Sequence, residues 1–107
     1  MVGNYNKLVR DNIPQIIISE GFKPKTRVLK SKEYRLELFK KLNEEVKKVI
    51  ETKNRDSLIE ELADVQEVLT AIYKEYKIEC SEVTKKARIK RKKKGAFEKK
   101  IYIEFVK

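Results

Sequence analysis

Apolar residues recur every three to four positions in two long stretches of this chain, and this spacing predicts two amphipathic α-helices. The first helix is expected to run from its N-cap Ser31 to about Thr52, with apolar positions Leu38, Phe39, Leu42, Val46, Val49 and Ile50. The second is expected from Ser57 to about Lys77, with apolar positions Leu58, Leu62, Val65, Leu69, Ile72, Tyr73 and Tyr76. A short polar link, in which Asp56 is the expected N-cap, separates them. The two helices should therefore pack as an antiparallel hairpin.

Two shorter helices are predicted outside this hairpin. Pro14 suits the first turn of a helix and Gly21 suits the position just past its end, which predicts a short helix over 14–20. Ser81 is a good N-cap for a further helix that should stop at Gly95.

The last residues are rich in β-strand formers, and 100–106 is expected to pair with 25–29 in a two-stranded ribbon. Phe97, Ile101 and Phe105 are then expected to pack in the core or ribbon rather than to stack on a nucleotide base. The expected fold is one mostly α domain over 1–107, with a helical hairpin, two shorter helices and a small two-stranded β-ribbon.

Composition narrows the chemistry. The 107 residues include no histidine and one cysteine, which excludes a Cys/His zinc site, a His-based triad and a disulfide framework within one chain. Cys80 is expected to be a small buried residue in a reducing compartment. No apolar run has the length of a signal peptide or a membrane span. We therefore expect a cytoplasmic protein with no membrane partner.

Positive charge is concentrated in one segment. The formal net charge is +10, and the segment from Lys85 to Lys100 has ten basic residues and one acidic residue. Three interpretations stay open: a solvated helix end that suits the helix dipole, a phosphate-binding element that uses Arg91 and Lys94, or a surface for non-specific nucleic-acid binding.

Carboxylates accompany the apolar stripes of the two long helices. At about 100° per residue, Glu45 falls at the edge of its stripe, whereas Glu44 is expected to point into solvent. Glu61 occupies the same edge of the next helix, and Asp64 lies one turn further on. The three carboxylates are ordinary helix-face residues, or they meet along the rim of the hairpin as oxygen ligands for a hard divalent cation such as Mg²⁺.

Several stretches together resemble a known family. They are the string Lys-Leu-Val-Arg-Asp-Asn-Ile-Pro at 7–14, Lys-Leu-Asn-Glu-Glu at 41–45, Glu-Glu-Leu-Ala-Asp-Val at 60–65, and Lys-Gly-Ala-Phe at 94–97 leading into Ile-Tyr-Ile-Glu at 101–104. This pattern is similar to the MazG-like, phosphoribosyl-ATP-pyrophosphohydrolase-like group of all-α nucleoside triphosphate pyrophosphohydrolases. The resemblance covers nearly the whole chain, and the string at 7–14 is its most specific part.

The resemblance implies a helical bundle that forms dimers or larger homo-oligomers. It also implies hydrolysis of a nucleoside triphosphate to a monophosphate and pyrophosphate with Mg²⁺, or alternatively Mn²⁺. The family's metal motif is Glu-Glu-x-x-Glu, a gap, then Glu-x-x-Asp. Its ligand positions fall on Glu45, Glu61 and Asp64, and the fourth falls on Lys48, where the family has glutamate. No residue is assigned as the catalytic base.

Lys48 leaves three outcomes open. In the first, the remaining three carboxylates bind one Mg²⁺ and support slow hydrolysis. In the second, Lys48 contacts the triphosphate itself. In the third, the site is inactive. Lys7 and Arg10 are candidates to bind phosphate oxygens, although Arg10 could instead form a structural pair with Asp11. The alternative function is a catalytically impaired relative that binds nucleotide or nucleic acid through its basic C-terminal segment.

Overall fold

A computed structural model of the protein describes residues 3 and 5–107, and within them it contains four α-helices and no β-strand. The helices are α1 (Ile13–Ser19), α2 (Ser31–Glu51), α3 (Arg55–Glu75) and α4 (Cys80–Lys94). The mostly α fold and all four expected helices are confirmed.

Glycine and proline set the helix boundaries as predicted. Pro14 lies in the first turn of α1, where its missing N–H is not needed. Gly21 follows the end of α1 with φ +91°, and its N–H donates to the Ile18 carbonyl at 3.0 Å. Gly95 ends α4 with φ +87°, and its N–H donates to the Arg91 carbonyl at 2.7 Å. Both glycines adopt the left-handed backbone region that other residues avoid.

Three predicted N-caps are wrong. Asn54 caps α3 instead of Asp56, because its side-chain oxygen accepts a hydrogen bond from the Ser57 N–H at 2.9 Å. Glu79 caps α4 instead of Ser81, because its side chain and that of Glu82 satisfy each other's backbone N–H groups in a capping box. In α2, Ser31 is the first helical residue, and the N-cap is Lys30.

Helices α2 and α3 form the hairpin, and each has 21 residues. Arg35 near the start of α2 donates to Glu75 at the end of α3 at 2.8 Å, as an antiparallel arrangement requires. The apolar core between them is small. Among the described residues, only Leu38 (2% exposed) and Val68 (9%) are buried hydrophobic side chains, and the third buried residue is Glu45.

Much of the predicted apolar stripe faces outward. On α2, Phe39, Val46 and Ile50 are 42–77% exposed, and on α3, Leu58 and Leu62 are also exposed. Among the described helices, the main packing contact of α2 and of α3 is with each other, so an apolar arc wider than that contact remains uncovered. A second apolar surface therefore lies along the hairpin.

The predicted β-ribbon is wrong, because 25–29 and 100–106 are both irregular. A two-stranded ribbon is marginal unless one face packs on a core, and here every residue from Tyr76 to Lys107 is exposed. The expected packing of Phe97, Ile101 and Phe105 and the expected burial of Cys80 are wrong for the same reason.

The chain is extended for its length. Its radius of gyration is 18.2 Å, whereas a compact domain of this size has about 13 Å. Its principal dimensions are 58 × 35 × 28 Å. None of the helices in the described part of the chain combines the length and apolar content needed to cross a membrane.

Candidate metal centre

Three carboxylates converge where α2 faces α3. Glu45 comes from α2, and Glu61 and Asp64 come from adjacent turns of α3. One carboxylate oxygen from each residue lies within 4.8 Å of the others. The convergence expected from helical periodicity is confirmed, because a spacing of three on α3 places both acids beside the same position of α2.

Two oxygens of this cluster are buried and accept no hydrogen bond from the described residues. They are Oε2 of Glu45 and Oε2 of Glu61. Glu45 itself is only 3% exposed. A buried charged oxygen without a partner is costly, so a carboxylate in this position needs a proton or a cation. Three clustered carboxylates are the donors that Mg²⁺ and Mn²⁺ prefer, and the residues present therefore fit such an ion.

The electrostatics of Glu61 agree with this interpretation. Burial raises the pKa of the Glu61 carboxyl, and the negative charges of Asp64 and Glu45 raise it further, against a smaller opposing effect of Lys48. Like charges held this close disfavour the ionised form unless positive charge is added between them. The raised pKa of Glu61 therefore reflects burial together with repulsion among the three carboxylates.

Lys48 supplies one such positive charge. Its Nζ lies 3.6 Å from Glu45 Oε1 and 3.8 Å from Glu44 Oε1. Burial lowers the pKa of Lys48, but the surrounding carboxylates of Glu45, Glu44 and Glu61 outweigh it, and the net pKa is raised. Lys48 therefore forms ion pairs with Glu45 and Glu44, whereas Asp64 pairs with Arg10.

Glu44 lies beside the cluster and not in open solvent, which corrects the prediction for this residue. Its carboxylate accepts hydrogen bonds from Lys7 at 3.1 Å and from Lys41 at 3.3 Å. Burial raises the pKa of Glu44, but these two hydrogen bonds and the lysine charges lower it more, and the net pKa falls. Lys7 from the N-terminal segment thus contacts this side of α2 and shields Glu44 from solvent.

Lys41 is a site residue that the sequence did not single out. Its Nζ is 3.6 Å from Glu45 Oε1, in addition to its bond with Glu44. The available signal was its position four residues before Glu45, where oppositely charged side chains meet on a helix.

The N-terminal string reaches the cluster from far along the sequence. Arg10 donates to Asp64 Oδ1 at 2.6 Å, across 54 positions, and Lys7 reaches Glu44 across 37. The structural pair expected between Arg10 and Asp11 is not among the ion pairs of the described residues, and Arg10 pairs with Asp64 instead. Both candidate phosphate-binding residues lie at the rim of the carboxylate cluster.

The remaining two candidates lie elsewhere. Arg91 and Lys94 are in the last turn of α4, both are exposed, and neither forms an ion pair within the described residues. The structure does not bring them to the carboxylates. By contrast, an open cavity of about 520 Å³ adjoins the cluster at the turn between α2 and α3, and Lys48, Lys53 and Glu61 line it.

Comparison with protein-family models, with curated proteins and with solved structures finds no match to this chain.

Proposed function

We propose that this protein is a nucleotide pyrophosphohydrolase that uses Mg²⁺, or alternatively Mn²⁺, to convert a nucleoside triphosphate or related nucleotide to its monophosphate and pyrophosphate. The observation that carries the proposal is the convergence of Glu45, Glu61 and Asp64 around two buried oxygens without hydrogen-bond partners. The string at 7–14, which resembles the nucleoside triphosphate pyrophosphohydrolase family, supports the same function, since its Lys7 and Arg10 reach the rim of this cluster.

The proposed roles follow from these positions. Glu45, Glu61 and Asp64 would hold the ion, which when bound neutralises phosphate charge and helps to activate water. Arg10 and Lys7 would leave their carboxylate partners to bind phosphate oxygens, since guanidinium and ammonium groups bind both kinds of anion. Water hydrolyses the α–β phosphoanhydride linkage: the water oxygen joins one of the two phosphorus atoms, the bridging oxygen stays on the other, and the products are the nucleoside monophosphate and pyrophosphate.

A screen of nucleoside triphosphates for pyrophosphate release tests this proposal. We expect release from at least one nucleotide with Mg²⁺ or Mn²⁺, loss of release with chelator, and loss of metal binding in Glu45→Gln. Arg10→Ala should raise KM more than it lowers kcat. A chain that neither binds a divalent ion nor hydrolyses any nucleotide would contradict the proposal.

A second candidate function is favoured by the lysine and arginine side chains that already pair with the carboxylate cluster. Lys48 pairs with Glu45, and Arg10 pairs with Asp64, so two of the three ligands have competing positive partners. In this case the protein is a catalytically impaired relative, and the basic segment of α4 binds nucleotide or, non-specifically, nucleic acid. Such binding should weaken steeply with salt and be unaffected by chelator, which separates it from the first candidate.

A further inference from the structure

The C-terminal arm, defined as α4 with the segment 95–107, has two chemically distinct parts. Eight of the 15 residues of α4 are basic, and its last five, 90–94, are all basic. The segment 95–107 is irregular and has three aromatic side chains that are 71–97% exposed: Phe97, Tyr102 and Phe105. No lysine or arginine of the arm forms an ion pair within the described residues, and α4 buries none of its residues. The charge and the aromatic surface of the arm are therefore both accessible to a partner.

A cavity lies where the two parts of the arm meet. Its volume is about 320 Å³, and its lining includes Phe97 together with Lys94, Lys99 and Lys100. Glu98 is the one acidic residue in this lining. The Lys100 N–H donates to the Phe97 carbonyl at 3.2 Å and closes the turn that shapes the cavity. An aromatic side chain and three basic side chains thus share one concave surface.

A second ring and cation lie together near the end of the arm. Lys107 Nζ is 5.8 Å from the centroid of the Phe105 ring, which is within the range of a cation–π contact. The arm therefore places positive charge beside more than one exposed ring. This combination suits a ligand that repeats an anionic group and a flat aromatic group, because ammonium groups bind phosphate and aromatic rings stack on bases.

We propose that the C-terminal arm binds single-stranded nucleic acid, with α4 along the phosphate backbone and Phe97, Tyr102 and Phe105 stacked on unpaired bases. This inference rests on the second candidate function and deepens it, since it names the form of nucleic acid and assigns a role to the rings. The sequence predicts that Phe97 and Phe105 pack in a core instead of stacking on bases, and their exposure removes that alternative within the described residues.

The arrangement favours a single strand over a duplex. In a duplex the bases stack on one another, so exposed rings find few free base faces, whereas a single strand offers every base. The five consecutive basic residues at 90–94 project in all directions around α4, because successive residues on a helix are about 100° apart. A flexible strand can follow such a helix on several sides, but a straight duplex meets only one side of it.

The same geometry disfavours a lipid surface. A helix that lies in a membrane interface needs one apolar face, and basic residues in every direction leave α4 without one. The aromatic part of the arm also contains Glu98 and Glu104, which an anionic headgroup layer repels. Single-stranded nucleic acid therefore suits the charge and the rings together.

Fluorescence anisotropy of the full chain with labelled oligonucleotides, in the presence of chelator, tests the proposal. We expect oligothymidylate to bind at least about tenfold more tightly than a duplex with the same number of nucleotides. Phe97→Leu/Tyr102→Leu/Phe105→Leu should weaken single-strand binding at least about tenfold, because leucine keeps apolar surface but removes the flat ring. The control is Tyr5→Leu/Phe22→Leu, which replaces exposed rings outside the arm and should bind as the wild type does.

Salt dependence separates phosphate contacts from stacking. Arg91→Gln/Lys93→Gln removes two basic side chains, so the slope of log affinity against log salt concentration should become shallower by about 1.4. The leucine variant should keep the wild-type slope, because it loses no charge. Lys25→Gln/Lys32→Gln, which removes the same charge at exposed positions outside the arm, should also keep it. All the replaced residues are exposed, so circular dichroism should show unchanged helix content.

Equal affinity for duplex and single strand, or a leucine variant that binds as the wild type does, would overturn the proposal and leave the second candidate function standing, since charge alone would then account for binding. Binding to phosphatidylglycerol vesicles but to neither oligonucleotide would overturn both. Because the measurement contains chelator and no nucleoside triphosphate, it can fail while pyrophosphate hydrolysis is observed, and the reverse.

Discussion

Replacing Lys48 with glutamate is the most direct perturbation of the carboxylate cluster. It removes the ammonium that lies 3.6 Å from Glu45 Oε1 and places a carboxylate on the same turn of α2. If the cluster binds a divalent ion, this change removes a competitor and adds a ligand. Lys48→Glu should then bind Mg²⁺ and Mn²⁺ more tightly than the wild type and release pyrophosphate faster.

The expected magnitude follows from this distance. At 3.6 Å, an ammonium and a carboxylate interact with about 1 kcal/mol in water and about 4–5 kcal/mol at an effective dielectric constant of 20. The Lys48 side chain is 44% exposed, so solvent screening favours the lower part of this range. A difference of about 1–2 kcal/mol corresponds to roughly 5- to 30-fold in the metal Kd.

The assay is calorimetric titration of Mg²⁺ and Mn²⁺ into wild type and variant, followed by pyrophosphate release at saturating metal. Lys47→Glu is the matched control, because it makes the same change in net charge at an exposed neighbouring position that forms no ion pair with Glu44 or Glu45. Circular dichroism should show equal helix content in all three proteins.

Equal metal affinity in Lys48→Glu and Lys47→Glu would refute the reasoning, because the effect would then come from overall charge. Weaker metal binding in Lys48→Glu with unchanged helix content would refute it as well, since it would show that the lysine helps to assemble the site. Tighter metal binding without faster pyrophosphate release would support the metal site but contradict its role in hydrolysis.

Three further predictions concern stability. Because the pKa of Glu61 is raised in the folded protein, its ionised form opposes folding, so Glu61→Gln should raise the Tm at pH 7 without metal, whereas Glu60→Gln should not. This gain should shrink as the pH falls through the pKa of Glu61, where the wild type also becomes neutral; a constant gain would contradict the electrostatic cause. Asn54→Ala should cost about 1 kcal/mol of unfolding free energy in urea titrations through loss of the α3 cap, and Asn54→Asp much less. Leu38→Ala should cost about 2–5 kcal/mol, since this side chain is 2% exposed in a small core, and a cost below 1 kcal/mol would place the core elsewhere.

The sequence predicted the elements of this fold well because their signals are local. Apolar spacing, Pro14, Gly21 and Gly95 depend on a few neighbouring residues, and the four helices begin and end within a few residues of the predicted positions. The N-caps were less predictable. Asp56 and Ser81 are good capping residues, but the alternatives at Asn54 and Glu79 make the hydrogen bonds, and only the backbone geometry selects between adjacent candidates.

The carboxylate cluster could also be expected from sequence, since a helical repeat fixes which side of α2 and α3 Glu45, Glu61 and Asp64 occupy. The basic side chains that pair with the carboxylates could not be expected from sequence. Arg10 meets Asp64 across 54 positions and Lys7 meets Glu44 across 37, and no local pattern selects such partners. Only the packing of the N-terminal segment over α2 and α3 decided these pairs.

The wrong prediction of a β-ribbon also shows that a local pattern does not select a partner that is distant in sequence. The sequence alone shows that the segment 100–106 is rich in apolar, strand-forming residues. Whether it pairs, packs or stays exposed depends on a surface that covers it, and none of the described residues covers it. Periodicity and capping fix helices because each helix satisfies its own backbone hydrogen bonds, whereas partners distant in sequence are chosen only when the tertiary structure brings their side chains together.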